Sequence, residues 1–266
     1  MSWSFRETPF LIAGPCVVES GDVMNRTAEA LAALAVRLGI PVCFKASFDK
    51  ANRARLQGAR GPGLDEGLRA LEGVRALTGL PLLTDVHEAG QCAPVAEVVD
   101  VLQVPAFLCR QTDLLVAAGR TGRPVNVKKG QWMAPEAMLG ALEKVRESGS
   151  ADVAVTERGS FFGYGDLVVD MRSFRRMAEA TGAPVIYDAT HSVQQPGGLG
   201  TQSGGDRRFV APLARAAVAA GCDAVFMEVH EDPEHALSDG ATSLPLADVP
   251  ALWRQLVAID RVRKGA

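Results

Sequence analysis

The stretch FLIAGPCVVESGDVMNRTAEALAALAVRLGIPVCFKA (10–46) contains the unit from which the fold is predicted. It begins with the apolar run FLIAG (10–14), continues through an amphipathic segment at 22–39 and ends with a second apolar run, VCFKA (42–46). Short runs of this kind, with little alternation of polar residues, are typical of strands buried on both faces of a parallel sheet. The segment between them has helical apolar spacing, and Gly39 is placed to end it. The stretch therefore predicts a strand, a helix and a second strand.

The same pattern continues to the end of the chain. The further predicted strands are LPLLTD (80–85), VDVLQV (99–104), PVNVK (124–128), DVAVTE (152–157), PVIYD (184–188) and DAVFME (223–228). The further predicted helices lie at 63–79, 88–97, 112–119, 135–148, 170–181, 207–220 and 247–264. Strict alternation implies parallel strands, and this many units in 266 residues favour a closed barrel over an open doubly wound sheet. We therefore predict an α/β protein with one (β/α)8 TIM-barrel domain over residues 1–266.

Composition limits the classes of partner. The net charge is −3, with 28 basic and 31 acidic residues mixed along the chain, so binding of nucleic acid is not expected. No apolar run approaches the roughly 18 residues of a membrane span, and the first residues lack the pattern of a signal peptide. The five cysteines are odd in number and have no close pairing, which fits a reducing compartment. We expect a cytoplasmic protein that does not bind membranes.

Polar residues gather where the predicted strands end. In a barrel these positions surround one mouth, which is the face that carries active sites. The cations at this face, from separate loops, are Lys45, Lys50, Arg53, Arg60, Lys128 and Arg158. Several cations at one mouth, in a chain with little net charge, indicate a substrate with more than one anionic group, and phosphates are the usual choice.

A second group of residues at this mouth has the chemistry of metal ligands. Its members are Cys16, His191, Glu228 and Asp239. A thiolate, an imidazole and carboxylates suit a borderline divalent ion such as Zn²⁺ or Fe²⁺. Their spacing is not a local metal motif, but the first and last strands become neighbours when a barrel closes, which would bring Cys16 beside Glu228.

Other catalytic motifs are missing from the sequence. Neither the GxxxxGK[ST] spacing of a nucleotide P-loop nor GxGxxG after a strand is present, and we predict no organic cofactor. His87, in TDVHE (84–88), has two equal interpretations: it shuttles a proton, or it orients a neighbouring residue.

Long segments in consistent order resemble the family of 3-deoxy-D-manno-octulosonate 8-phosphate synthases. They are IAGPCVVES (12–20), FKASFDKANR (44–53), RGPGLDEG (60–67), TDVHE (84–88), PAFLCRQTDLL (105–115), NVKKGQ (126–131), FGYGDLVVDMR (162–172), IYDATHS (186–192) and SDGATSLPL (238–246). A related synthase of aromatic-amino-acid biosynthesis shares the barrel and phosphoenolpyruvate. It typically carries K-P-R-T where this chain has KANR (50–53).

The resemblance implies a reaction in lipopolysaccharide precursor biosynthesis. Phosphoenolpyruvate, arabinose 5-phosphate and water give the eight-carbon sugar acid phosphate and inorganic phosphate. The substrate-binding residues that it implies are Lys45, Lys50, Asn52, Arg53, Arg60, Gln103, Ala106, Lys128 and Arg158. The implied catalytic residues are Lys50, Asn52, Asp85 and His87. The family usually has Ser after the Arg of KANR, where this chain has Ala54, so we expect the pentose phosphate to depend more on Arg53 and Arg60.

The family has a metal-dependent and a metal-independent class, and one position separates them. Metal-dependent members have Cys where this chain has Cys16, and the others have Asn. The resemblance therefore implies one divalent ion, Zn²⁺, Fe²⁺ or Mn²⁺, which either polarises the pentose aldehyde or activates water. It also implies a homotetramer. The alternative of another class is a catalytically silent barrel that binds phosphosugars.

Overall fold

The fold places eight parallel strands at the centre and a helix after each. The computed structural model describes residues 3–6, 10–52, 58–195 and 204–265. The barrel strands are β1 (Phe10–Gly14), β2 (Val42–Lys45), β3 (Leu82–Asp85), β4 (Val101–Val104), β5 (Val125–Lys128), β6 (Val153–Glu157), β7 (Val185–Asp188) and β8 (Ala224–His230). The helices are α1 (Gly21–Leu38), α2 (Leu64–Thr78), α3 (Cys92–Val98), α4 (Thr112–Arg120), α5 (Leu139–Glu147), α6 (Arg172–Thr181), α7 (Val210–Ala220) and α8 (Val249–Lys264). None of these described helices has the length and hydropathy to cross a membrane.

The sheet closes on itself. Each strand pairs in parallel with the next along the chain, and β8 also pairs with β1, from Phe10 opposite Ala224 to Gly14 opposite Glu228. The predicted (β/α)8 barrel is confirmed. Closure places the segment that follows β1 beside the end of β8, as the sequence argument required for Cys16 and Glu228.

The helix boundaries differ from the predicted ones mainly at their first turns. Short 3-10 turns at Pro135–Met138, Arg207–Phe209 and Leu246–Asp248 precede α5, α7 and α8, so the regular helices begin later than the apolar pattern suggests. Gly39 and Gly79 end α1 and α2 with positive φ values of 61° and 70°. These two predicted caps are confirmed, because glycine enters the left-handed region without a steric penalty.

The inside of the barrel begins as an apolar layer at the amino ends of the strands. Its buried members are Phe5, Phe10, Ile12, Cys43, Leu83, Val101, Ala154, Ile186, Ala224 and Phe226. Trp3 and Phe5 close this end, and Phe10 meets them with ring centroids 5.3 and 5.9 Å away. Alternate strand residues, such as Leu11 and Ala13, belong instead to the larger core between the strands and the helices.

The same inward face becomes polar two residues further along six of the eight barrel strands. The steps are from Cys43 to Lys45, Leu83 to Asp85, Val101 to Gln103, Ala154 to Thr156, Ile186 to Asp188 and Phe226 to Glu228. Since side chains alternate in direction along a strand, residues two apart share a face. The barrel interior therefore has an apolar lower layer and a polar upper layer, and the upper layer opens at the carboxyl ends of the strands.

Candidate active site

The four predicted metal ligands converge at the mouth of the barrel. The Sγ atom of Cys16 lies 3.1 Å from Oδ2 of Asp239, and ligand atoms of Cys16, Glu228 and Asp239 all lie within 4.8 Å of one another. His191 completes the group, because its Nε2 atom lies 3.5 Å from Oε1 of Glu228 and 3.8 Å from Oδ2 of Asp239. Four residues that are remote in sequence thus share one small volume.

The chemistry of this cluster fits a bound cation. Oε2 of Glu228 is buried and has no hydrogen-bond partner within the described part of the chain. Burial raises the pKa of the Cys16 thiol well above its usual value, and the carboxylates of Asp239 and Glu228 raise it further. A divalent ion among these groups would satisfy the carboxylate and favour the thiolate. The donor set combines sulfur, nitrogen and oxygen, as borderline ions prefer.

Two lysines lie beside this cluster. Nζ of the buried Lys45 donates to Oε1 of Glu228 and to the carbonyl oxygen of Cys16, each at 2.9 Å. Nζ of Lys50 lies 3.7 Å from Oε1 of Glu228 and donates to Oγ of Ser47 at 3.2 Å. Burial alone would lower the pKa of Lys50, but Cys16 and Glu228 raise it above its ordinary value. Lys50 therefore keeps its positive charge inside the mouth.

Lys128 lies on the other side of His191. It forms a buried ion pair with Asp188, with Nζ 2.7 Å from Oδ2, and it stands 4.0 Å above the ring of Phe226 in the lower layer. Burial would raise the pKa of Asp188, but His191 and Lys128 hold it well below its usual value. Nδ1 of His191 lies 2.8 Å from Oδ2 of Asp188.

Arg158 supplies a cation with unused hydrogen-bonding capacity. Its side chain is buried, and Nη2 donates to Oε1 of Gln194 at 2.7 Å. Nη1 is buried too, and it has no partner in the ranges that the structure covers. A buried guanidinium donor that is left free is costly, and an anionic ligand is the usual reason for it.

A chain of polar side chains leads across the upper layer to Asp85. Thr156 donates to Asn126 at 2.8 Å, Asn126 donates to Gln103 at 2.8 Å, and Gln103 donates to Asp85 at 2.7 Å. Ser47 donates to the other carboxylate oxygen of Asp85. Burial acts to raise the pKa of Asp85, but Lys45, Lys50, Lys128 and His87 together hold it below its usual value. Asp85 is therefore an anion that the site orients.

These hydrogen bonds also bear on the role of Gln103. The side chain is fully buried, and its amide already donates to Asp85 and accepts from Asn126. Direct contact between Gln103 and a substrate stays a prediction, and the observed bonds favour an effect through Asp85. Sequence reasoning missed Asn126 and Thr156, although their period-2 spacing from the site residues Lys128 and Arg158 was available.

The remaining predicted site residues lie around the rim. His87 is half-buried beside Phe48, with ring centroids 5.6 Å apart, and its Nδ1 has no partner among the described residues. Asn52 is exposed, and the largely exposed Arg60 forms a bidentate pair with Asp49.

Ala106 and Arg53 are also predicted substrate-binding residues. Ala106 is buried in the turn after β4. Arg53 and Ala54 lie outside the described residues.

A second buried ion pair, which the sequence did not single out, stands behind the mouth. Nζ of Lys129 lies 3.4 Å from Oε1 of Glu157 and donates to Oγ of Ser160 at 3.0 Å. The same Glu157 oxygen accepts from the backbone of Gly159 at 2.7 Å. Because this pair follows β5 and ends β6, it fixes the segments that carry Lys128 and Arg158.

The fold and this mouth define a barrel enzyme built for a substrate with several negative charges. The chain belongs to the DAHP synthetase I family, whose model matches residues 6–261.

Curated relatives cover nearly all of the chain. The proteins from Trichlorobacter lovleyi, Magnetococcus marinus and Pelobacter propionicus are each named 2-dehydro-3-deoxyphosphooctonate aldolase. They are 58%, 57% and 58% identical to this chain over 252, 256 and 254 residues. The matched regions are 95%, 96% and 96% of this chain, and 92%, 89% and 93% of the respective relatives.

Proposed function

We propose that this protein condenses phosphoenolpyruvate with D-arabinose 5-phosphate and water. The products are 3-deoxy-D-manno-octulosonate 8-phosphate and inorganic phosphate, in lipopolysaccharide precursor biosynthesis. The observation that carries the proposal is the convergence of Lys45, Lys50, Lys128 and Arg158 on one mouth beside the Cys16 cluster. The relatives named 2-dehydro-3-deoxyphosphooctonate aldolase support the same activity.

The inner part of the mouth suits phosphoenolpyruvate. This substrate carries a phosphate and a carboxylate, and four cations from different strands stand where both groups can be paired. The free Nη1 of Arg158 and the ammonium of Lys128 offer charge-assisted hydrogen bonds. Lys45 and Lys50 lie on the opposite side of Asp188 and His191, so a small dianion can be held between the two pairs.

The outer rim suits the pentose phosphate. Asn52 and Arg60 lie on the exposed segment after β2, and Arg53 belongs to the same motif. Arg60 is paired with Asp49 and would exchange that carboxylate for the substrate phosphate. The aldehyde end would then point inward toward Lys50 and the thiol cluster. Binding at two depths of one mouth orients the two reacting carbons toward each other.

Cys16, His191, Glu228 and Asp239 would hold one divalent ion, of which Zn²⁺, Fe²⁺ and Mn²⁺ are the candidates. Such an ion supplies Lewis acidity, which can polarise an aldehyde oxygen or lower the pKa of water. Lys45 keeps Glu228 in place through a buried ion pair. His191 is aligned by its backbone N–H, which donates to Asp188 at 2.9 Å.

The chain's own groups account for the movement of charge. The enol carbon of phosphoenolpyruvate bonds to the aldehyde carbon, and the aldehyde oxygen takes up a proton. Water adds to the neighbouring carbon and loses one proton, which would return to Lys50. As the C–O bond to phosphate breaks, the proton of the new hydroxyl leaves with inorganic phosphate and a ketone remains. Lys50 carries a proton at neutral pH and can donate it to the new alkoxide, while the surrounding cations stabilise the leaving phosphate. The negative charge of Asp85 raises the pKa of Lys50 and so favours its protonated form between turnovers.

Phosphate release tests the proposed reaction directly. Purified protein should release phosphate when phosphoenolpyruvate and arabinose 5-phosphate are both present, and not with either alone. Erythrose 4-phosphate in place of the pentose should give a much lower rate. A chelator should abolish release in wild type, and Zn²⁺, Fe²⁺ or Mn²⁺ should restore it. Full activity of chelator-treated Cys16→Ala protein would contradict the metal site, and equal rates with erythrose 4-phosphate would contradict the substrate.

We also propose a cytoplasmic homotetramer. All five cysteines are free and buried, which fits a reducing compartment.

Phe107 and Trp132 stack with ring centroids 6.0 Å apart at the mouth side, and each remains about half exposed, at 51% and 50%. Exposed aromatic groups of this kind suit contacts between subunits. Light scattering coupled to gel filtration should give the mass of four chains.

A further inference from the structure

Glu19 is not one of the proposed metal ligands, but its carboxylate contacts two of the segments that carry those ligands. The side chain of Glu19 is 7% exposed. Its Oε2 atom lies 3.4 Å from Nε2 of His230, whose side chain is 5% exposed. Its Oε1 atom accepts a hydrogen bond from the backbone N–H of Leu237 at 3.2 Å. Glu19 thus joins the segment after β1 to the end of β8 and to the loop beyond it.

These contacts fall next to the proposed metal ligands. Glu19 follows Cys16 by three residues, His230 follows Glu228 by two, and Leu237 precedes Asp239 by two. Cys16, Glu228 and Asp239 therefore lie on three separate stretches of backbone. Glu19 belongs to the first stretch and is hydrogen-bonded to the other two. Asp239 has a positive φ of 50°, which is unusual for a residue other than glycine and needs support from its surroundings.

The hydrogen bonds require a carboxylate at position 19. The backbone N–H of Asp232 donates to Nδ1 of His230 at 2.9 Å, so Nδ1 accepts and the ring proton is on Nε2. Glu19 must then accept from two donors, the His230 ring and the Leu237 backbone. A glutamine offers one oxygen and one NH₂ group, so it can accept from only one of the two. Alanine accepts from neither.

We propose that Glu19 is a positioning residue for the metal site, holding the Glu228 and Asp239 segments in register with Cys16. The inference rests on the proposed metal-dependent function. Ligands that are held in place before the ion arrives lose less freedom when they bind it, so the affinity for the ion is higher. Loss of the Glu19 contacts should weaken ion binding while leaving the barrel and the ligands themselves intact.

An exposed ion pair that also reaches the end of β8 provides a matched control. Arg26, in α1, forms two hydrogen bonds of 2.6 Å with Glu231, the residue that follows His230. The two side chains are 55% and 31% exposed. Such surface pairs contribute little to stability. Arg26→Gln should therefore leave the metal site unchanged, although it also removes a link between α1 and the end of β8.

The test is a measurement of zinc affinity. Metal-stripped wild type, Glu19→Gln, Glu19→Ala and Arg26→Gln proteins are titrated with Zn²⁺ against a competing chromophoric chelator, and melting of the stripped proteins reports folding. We expect the Kd for Zn²⁺ to rise about tenfold in Glu19→Gln and about tenfold to a hundredfold in Glu19→Ala. It should stay within about twofold in Arg26→Gln. At saturating Zn²⁺, kcat should return close to the wild-type value.

The outcomes separate this inference from the proposed function. Should wild type bind no ion, the proposed metal site and the role of Glu19 are both overturned. If wild type binds zinc and both Glu19 variants match its Kd within about twofold, only the role of Glu19 is overturned. An equal loss in Arg26→Gln would also overturn it, since the effect would then not be specific to Glu19. If Glu19→Ala does not fold, the isosteric Glu19→Gln decides.

Discussion

The two layers inside the barrel have the same backbone geometry and opposite chemistry. The lower layer contains Phe5, Phe10 and Phe226, and it is apolar. The upper layer begins two residues further along the strands and buries paired charges such as Lys128 with Asp188. Burying an apolar group stabilises the fold, whereas burying an ion pair often contributes little, because both charges must leave water. The upper layer is therefore built for ligands and relies on the lower layer for its support.

An aromatic ring of the lower layer contacts two lysines of the upper layer. Phe226 belongs to the lower layer, and its ring lies 4.0 Å below Nζ of Lys128 and 5.5 Å from Nζ of Lys45. The ring offers its negative face to both ammonium groups, which is favourable in a desolvated site. It also sets their depth. The ammonium groups of Lys45 and Lys128 thus both rest against an apolar side chain.

The largest effect on the reaction rate should come from removing a charge of the upper layer. Lys128→Met keeps much of the side-chain volume and removes the charge that pairs with Asp188. We expect the rate of phosphate release to fall by about 10³, in the range found for loss of one electrostatic group. Steady-state kinetics with varied phosphoenolpyruvate measures it. A loss below about tenfold would contradict a role for this lysine in the reaction.

A substitution in the lower layer should lower the stability of the fold and leave the reaction unaffected. Phe10→Ala removes a buried ring that contacts Trp3 and Phe5, and it should lower the free energy of unfolding by about 3 to 5 kcal/mol. The KM for phosphoenolpyruvate should stay near the wild-type value. Denaturant unfolding and kinetics on the folded protein test this, with Phe10→Leu as the control, which should cost less than about 1.5 kcal/mol.

A smaller effect should appear in the pH dependence of stability. Because the pKa of Asp85 is lowered in the fold, its charge contributes stability above the unfolded pKa of about 3.9. That contribution is lost as pH falls toward the depressed pKa. The difference in unfolding free energy between wild type and Asp85→Asn should be constant from about pH 7 to pH 5 and shrink below about pH 4.

Asp223, at the opposite end of the barrel, provides the contrast. Burial raises the pKa of its carboxyl group, so its charge opposes folding as pH rises. Any pH-dependent part of the difference between wild type and Asp223→Asn should therefore have the opposite sign. The same sign for both variants would contradict the electrostatic distinction between the two ends.

Much of the fold was predictable because its signals are local. Each strand is a short apolar run and each helix has its own spacing, and Gly39 and Gly79 mark two helix ends. The starts of α5 and α7 were less predictable, since 3-10 turns at Pro135–Met138 and Arg207–Phe209 share the apolar spacing of the helices that follow. The sequence pattern does not distinguish these two backbone geometries.

The site was predictable only in part. Positions at strand ends, such as Asp85 and Glu228, follow from the geometry of a barrel. The bonds of Gln103, whose amide serves Asp85 and Asn126, depend on side-chain packing that no spacing encodes. Glu19 was hidden for a similar reason, because its partners His230 and Leu237 lie more than 200 residues away along the chain.

A double variant tests most directly the claim that the upper-layer charges serve the reaction and not the fold. Lys128→Met with Asp188→Asn removes both charges of one buried pair and keeps the shape of both side chains. Its free energy of unfolding should lie within about 1 kcal/mol of wild type or above it, because neutral replacement of a buried pair is often harmless. The single variant Lys128→Met, which removes the lysine partner of Asp188, should be less stable by about 3 kcal/mol. Phosphate release by the double variant should still fall by about 10³. A double variant that is as unstable as Lys128→Met, or that releases phosphate at the wild-type rate, would contradict the account.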